Sequence, residues 1–146
     1  MNASVTNTEL LGDLLFGSAQ PVGGSRLGDD ELIELATATF GEKPFCIVRC
    51  WILLDVMLPD FQEREIKKQG LEATLLYAQA AVFDSQSKLQ PGDSILSDFQ
   101  REFDGCIFES NHTIFILAGR GARKHVSLPA VEAIAADIKR VEKTYG

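Results

Sequence analysis

Apolar, β-prone runs alternate with short turn signals from Ala73 to Gly119, and this stretch dominates the pattern of the chain. Leu75–Phe83 reads as a long strand, with Tyr77, Gln79 and Ala81 on one face and Ala78, Ala80 and Val82 on the other. Its small residues let a neighbouring backbone approach closely. Helix is the competing reading, because alanine favours it. Asp84-Ser85 and Pro91-Gly92-Asp93 punctuate the strand's end, and Gly92–Leu96 follows as a short strand. Ser97 and Gln100 then fit a capping box, Phe99 and Phe103 stand at i, i+4, and Gly105 sits where a left-handed cap belongs. That spacing predicts one or two helical turns. Cys106–Glu109 and Thr113–Leu117 flank Ser110-Asn111-His112 as a hairpin. Ile114 to Leu117 is continuously apolar, so it is the expected central strand, covered on both faces.

The flanks are more helical. Thr6 and Glu9 open an amphipathic segment through Leu10, Leu11, Leu14 and Leu15 to Gly17. Ser18–Gly28, with Pro21, Gly23 and Gly24, reads as a loop. A second helix starts at Asp29 or Asp30 and runs to Thr39, with Leu32, Ile33, Ala36 and Phe40 as its apolar stripe. Phe45–Leu54 is a buried strand in which Arg49 is the odd charge, expected at an edge or paired. Asp55–Gly70 is ambiguous: Pro59-Asp60 and Glu63 suggest a helix start, yet the segment is polar. Ser127-Leu128-Pro129 opens a helix to Thr144, with Val131, Ile134, Ala135, Ile138, Val141 and Tyr145 on one face. The expected architecture is a single α+β domain over residues 1–146. Two N-terminal helices and one C-terminal helix pack on a curved, mostly antiparallel sheet of about five strands.

Length and charge narrow the function. A chain of 146 residues buries a core without staples. No run approaches the roughly 20 apolar residues that span a bilayer, which argues against a membrane protein. The first residues lack a basic segment followed by an apolar one, so the expected location is cytoplasmic. Cys46, Cys50 and Cys106 are an odd count in such a chain, and all three are expected to be reduced and buried. The net charge of −7 is uneven, for residues 1–45 hold seven acids and two bases while residues 119–146 hold six bases and three acids. Such a body repels nucleic acid and attracts basic partners.

Candidate chemistry is sparse. His112 falls in a predicted turn and His125 in a basic loop, no G-x-S-x-G exists, and neither C-x2-C nor H-x3-H spacing occurs. No catalytic residue, metal site or cofactor is therefore assigned. The glycines of Gly119-Arg120-Gly121 follow a strand, but the Walker pattern is not met, and a glycine-rich turn accounts for them; whether this loop takes an anion stays open. Arg120, Arg123, Lys124 and His125 form the one basic cluster. Asp29, Asp30, Glu31 and Glu34 complement a helix N-terminus, and Asp30 and Glu34 share one helical face. The carboxylate pairs, Asp98 with Glu102 among them, have no neighbour in sequence that would perturb them. Partner contact is expected at Asp29, Asp30, Glu31 and Glu34 first, and at Arg120, Arg123 and Lys124 second.

Tyr77-Ala78, Val82 to Ser85, Gly92-Asp93, Cys106 to Ser110, and Ile114 with Leu117, Gly119 and Gly121 together form a pattern over residues 73–121. It resembles an uncharacterised family of short proteins carried by phages, prophages and accessory islands. The resemblance implies a genomic context in which small proteins bind and block a host machine, CRISPR effectors included, or neutralise a toxin. It brings no catalytic residue and no cofactor. The expectation is a non-enzymatic inhibitor that contacts a bacterial protein with a basic, nucleic-acid-handling surface. The alternatives are a toxin-immunity protein and a small enzyme with an unrecognised site.

Overall fold

In the computed structural model, which describes residues 19–136, 138 and 140–142, the longest strand is the hub. The elements in order are β1 (Gln20–Gly23), α1 (Asp29–Phe40), β2 (Phe45–Met57), α2 (Asp60–Lys68), β3 (Thr74–Asp84) and β4 (Ile95–Leu96). They continue as β5 (Glu102–Asp104), β6 (Ile107–Glu109), β7 (Ile114–Leu117), β8 (Arg120–Ser127), α3 (Leu128–Ala135) and β9 (Arg140–Val141). β2 pairs antiparallel with β3 on one side, and on the other runs parallel first to β7 and then to β8. β1 closes on β8, β6 and β5 extend from β7, and β4 and β9 extend from β3. The α+β class holds, but the curled sheet is mixed rather than mostly antiparallel.

A change of face at one residue shapes the hub. Cys46 and Val48 pack on one face with Trp51 and Leu53, whereas Phe45 and Ile47 pack on the other under α1. Strict alternation would bring residue 50, not Trp51, to the face of Val48. The change falls at Cys50, which has a positive φ of 54° and an exposed side chain, while the register shift against β3 lies earlier, between Ile47 and Val48. Leu54 and Val56 beyond it return to the α1 side of the sheet, where Val131 and Ile134 of α3 cover them. The neighbouring strand bends at the same level through Gly119, at φ 70°. Trp51 lies flat on Gly121, where any Cβ would overlap the indole, and its Nε1 donates to the Ala118 carbonyl at 3.1 Å. Those glycines therefore serve close packing, and Gly119 N–H is taken by the Ser25 carbonyl at 2.8 Å.

Several expectations need correcting. Ser97 to Gly105 is not helical: Ser97 Oγ accepts from Leu76 N at 2.8 Å and Gln100 N donates to Thr74 O, so the segment runs along β3. Phe99 joins the cluster under α2 and α3 while Phe103 joins the opposite one, which no shared helical face allows. The central strand is β2, with β7 beside it. The loop expected at Ser18–Gly28 contains β1, and the basic turn after Gly119 is strand β8. α3 ends at Ala135 rather than Thr144, because the chain beyond it is drawn to the sheet edge, where β9 runs parallel to β4. The ambiguous 55–70 stretch divides into the end of β2 and helix α2, whose Ile66 is buried. The helix expected at Thr6–Phe16 falls outside the described residues. No described helix is long and apolar enough to cross a membrane.

Candidate functional site

Three places gather polar or unsatisfied groups, and the first is the acidic helix. α1 starts at Gly28, whose N–H donates to Glu31 Oε1 at 3.4 Å, and carries Asp29, Asp30 and Glu31 in its first turn, where the helix dipole favours them. Asp29 is tied into the fold by Arg49, whose Nε and Nη2 meet Oδ1 at 2.9 and 2.7 Å. Arg49 is thus paired, as its place in a strand suggested. Asp30 and Glu34 are exposed, and no described base forms an ion pair with either.

Beside this helix runs an apolar groove of about 300 Å³, lined by Leu27, Leu32, Leu35, Phe40, Ile107 and Cys106 among others. Leu27 and Leu35 are 39% and 54% exposed, a large apolar surface for two neighbouring leucines. Register places more acid across the groove. Asp104 pairs with Ile107, and Glu102 with Glu109, which itself faces Ile114. Directly paired residues share a face, and Ile107 and Ile114 pack with Leu32 and Ala36 of α1. Glu102, Asp104 and Glu109 therefore stand on the α1 side of the sheet.

The second place is a polar cleft of about 780 Å³ at the ends of β2, β3 and β8, bordered by Asp55, Glu63, Glu72, Thr74, Arg123 and His125. Arg123 grips Asp55 with both arms, Nε to Oδ2 and Nη2 to Oδ1 at 2.8 Å each, and Thr74 Oγ1 adds a third bond at 2.8 Å. Burial pushes the Asp55 carboxyl up, but the hydrogen bonds from Arg123 and Thr74, with the charges of Arg123 and His125, outweigh it. They hold Asp55 below the ordinary carboxylate range. The hydrogen bond to Asp55 in turn raises Arg123. A carboxylate so held is a weak base. Lys124 borders an adjoining lobe with Gln20, and Arg120 is exposed on β8 opposite Gly23. The basic residues read as one cluster are thus strung along a strand, and Arg123 is engaged by the fold.

The third place is the buried acid Asp98, noted in the sequence only as one of several carboxylate pairs. Its side chain is 1% exposed, its Oδ1 accepts from Phe99 N at 2.9 Å, and its Oδ2 lies 3.3 Å from His112 Nε2 without good hydrogen-bond geometry. Glu142 stands close by, accepting from Ser110 Oγ and Thr113 Oγ1 at 2.7 Å and from Asp98 N at 3.2 Å. Burial raises Asp98 most; Phe99 N–H and His112 oppose this, and the Glu142 charge adds to it, leaving Asp98 above the ordinary range. Among the described residues no set of three His, Cys, Asp or Glu side chains is placed to hold a metal ion. The cysteines are free thiols, but only Cys46 is buried; Cys50 is exposed by its unusual backbone and Cys106 is half-buried at the groove.

A family model described as a domain of unknown function, DUF6957, matches residues 23–133. The chain belongs to the DUF6957 family. Its matched span begins within β1 and ends within α3, so it includes α1, the groove and the Asp55–Arg123 pair. No curated protein and no solved structure matches the chain.

Proposed function

We propose that this DUF6957 chain is a non-enzymatic binding protein that acts by contact with a basic protein surface. The observation that carries this reading is α1: Asp30, Glu31 and Glu34 are exposed on a helix that borders a groove with exposed leucines, whereas Arg123 is engaged by Asp55. Unpaired acids attract a basic partner and raise its association rate, and adjoining apolar area supplies affinity. The partner that fits is a bacterial protein whose surface handles nucleic acid, since such surfaces are rich in lysine and arginine. The narrower reading, an inhibitor of a bacterial defence effector such as a CRISPR nuclease, rests on the sequence resemblance over residues 73–121.

The test is capture from bacterial lysate with the wild-type chain, followed by association kinetics on the purified partner at two salt concentrations. Asp30→Lys with Glu34→Lys is expected to slow association about tenfold at low salt and much less at high salt, with the fold intact by circular dichroism. Recovery of background proteins alone, or an unchanged rate for the folded variant, would remove the reading. A captured secreted toxin would replace the defence inhibitor with an immunity protein.

A further inference from the structure

We propose that the groove between α1 and the β5–β6 hairpin is the docking site for a basic amphipathic segment of the partner, its apolar side chains on the leucines and its lysines or arginines on the two acidic rims. This rests on the binding reading above and assigns it a place and a ligand chemistry.

The floor is apolar: Leu32, Ala36, Ile107 and Ile116 lie beneath, and Leu27 and Leu35 stand exposed at the edge. Both rims are acidic. On α1, Glu31 lies one turn before Leu35 and is its neighbour on the helix surface, whereas Asp30 and Glu34 share a face turned away from the groove. On the hairpin, Glu102, Asp104 and Glu109 stand on the side of the sheet that faces α1. Arg26, exposed next to Leu27, leaves the rim strongly negative.

The hairpin supplies an independent reason for a cation to be favoured here. Glu102 and Glu109 are direct cross-strand partners, and like charges in that position destabilise a sheet. Neither acid forms an ion pair with a described base; the nearby Arg101 gives Nε and Nη2 to Asn111 Oδ1 at 2.9 and 2.7 Å. A cationic side chain laid over this pair relieves the repulsion. The chain's own residues 1–18 are a poor occupant, because their charged side chains are Glu9 and Asp13, of the same sign as the rims. A second copy would likewise bring acid to acid.

Cys106 lines the groove and is a built-in reporter. In a Cys50→Ser background, with Cys46 buried, a thiol reagent reads Cys106 in the folded protein. The probes are a synthetic helical peptide of leucine and lysine, leucines at i, i+3, i+4 and i+7, and the same pattern with glutamate for lysine. Peptide binding is followed in parallel by fluorescence anisotropy. The lysine peptide is expected to bind and to slow Cys106 labelling at least about tenfold, less so in high salt, and the glutamate peptide to do neither. Leu35→Asp, at an exposed position, is expected to weaken binding about tenfold, and Glu102→Lys with Glu109→Lys to abolish protection.

Binding of the lysine peptide without protection of Cys106 overturns the groove and leaves the acidic-face reading standing. No binding at low salt overturns both. Equal protection by the glutamate peptide removes the role of charge, and a dimer that Leu35→Asp converts to monomer makes the occupant a second copy; each overturns the proposal as stated. Cys106 labelling that speeds up on removal of residues 1–18 assigns the groove to the chain's own N-terminus, with the same consequence.

Discussion

Asp55 and Asp98 are both carboxylates withdrawn from water within the same sheet, and the protein treats them in opposite ways. Asp55 receives a bidentate guanidinium and a threonine hydroxyl, and its proton affinity falls. Asp98 receives one backbone amide, a histidine at its far oxygen and a second acid close by, and its proton affinity rises. The difference lies in the partners, because burial pushes both carboxyls in the same direction. Asp55 fastens β8 to β2 and β3, and in doing so withdraws Arg123 from the surface. Asp30 and Glu34 of α1 and Glu102 and Glu109 of the β5–β6 hairpin have no such partner among the described residues. Around the groove, the charge left unmatched among the described residues is therefore mainly negative.

Removing the better-satisfied acid has the largest expected effect. Asp55→Ala leaves Arg123 without its carboxylate and Thr74 Oγ1 without its acceptor. The pair is only part-buried, with side chains 21% and 33% exposed. The cost therefore falls between a surface pair and a fully buried one, about 2 kcal/mol. Chemical denaturation at pH 7 measures it. A loss below about 0.5 kcal/mol would make the Asp55–Arg123 pair an ornament of the surface rather than a fastening.

The pH dependence sharpens the contrast, because the two acids contribute with opposite sign. Asp55 has a folded value below 3.8, so its stabilisation is complete above that pH and disappears as pH falls through the folded value. Asp98 has a folded value above 3.8, so its charged form costs stability at neutral pH. That cost shrinks as pH falls through the folded value and is gone below 3.8. Asp55→Asn is expected to flatten the acid limb of the stability curve below about pH 4. Asp98→Asn is expected to flatten the opposing slope just above it. Titration of both carboxyls by carbon-13 NMR tests the assignment, and two shifts of the same sign would end the comparison.

How much of this was legible in the sequence depended on the distance over which each signal acts. α1 with its glycine stop, β2, β3, the β6–β7 hairpin and the Ser127-Leu128-Pro129 helix start all follow from neighbouring residues, and each stands where the pattern placed it. Sites made by long-range pairing did not follow. Asp55 and Arg123 are 68 positions apart, and Asp98 and Glu142 44. The capping box at Ser97 was a correct local pattern that lost to tertiary bonds, because Leu76 N–H captured the hydroxyl that would have capped a helix. The groove was half legible: the acids of α1 were readable, but the hairpin acids face them only through the pairing of β5, β6 and β7. One signal could have found them, since the glutamates at 102 and 109 become opposed once a tight turn is placed at Gly105, at φ 59°.

Asp98→Asn itself is expected to raise stability at pH 7 by about 1 kcal/mol, since replacing a poorly matched buried charge by a neutral group of the same shape is often stabilising. The amide keeps an oxygen for Phe99 N–H, and its nitrogen stands where Oδ2 lies, toward His112. Thermal and urea denaturation measure the gain. A loss of similar size would mean that the charge of Asp98 holds the His112 turn in place and outweighs its burial.

The smallest effect tests which neighbour governs Asp98. His112 is half exposed, so its removal costs little directly, and His112→Ala is expected to change stability at pH 7 by less than about 0.5 kcal/mol. Its influence on Asp98 is more visible than its influence on the fold. Burial and Glu142 raise Asp98, while the histidine lowers it, mainly through its charge. Without the histidine, the Asp98 carboxyl is expected to titrate at still higher pH. In Asp98→Asn the same histidine change should be nearly silent, so a double-mutant cycle isolates the pair. A fall in the Asp98 titration on His112→Ala would mean that the ring acts mainly by excluding water, as burial does. Asp98 would then owe its raised proton affinity to the histidine as well as to the acid beside it.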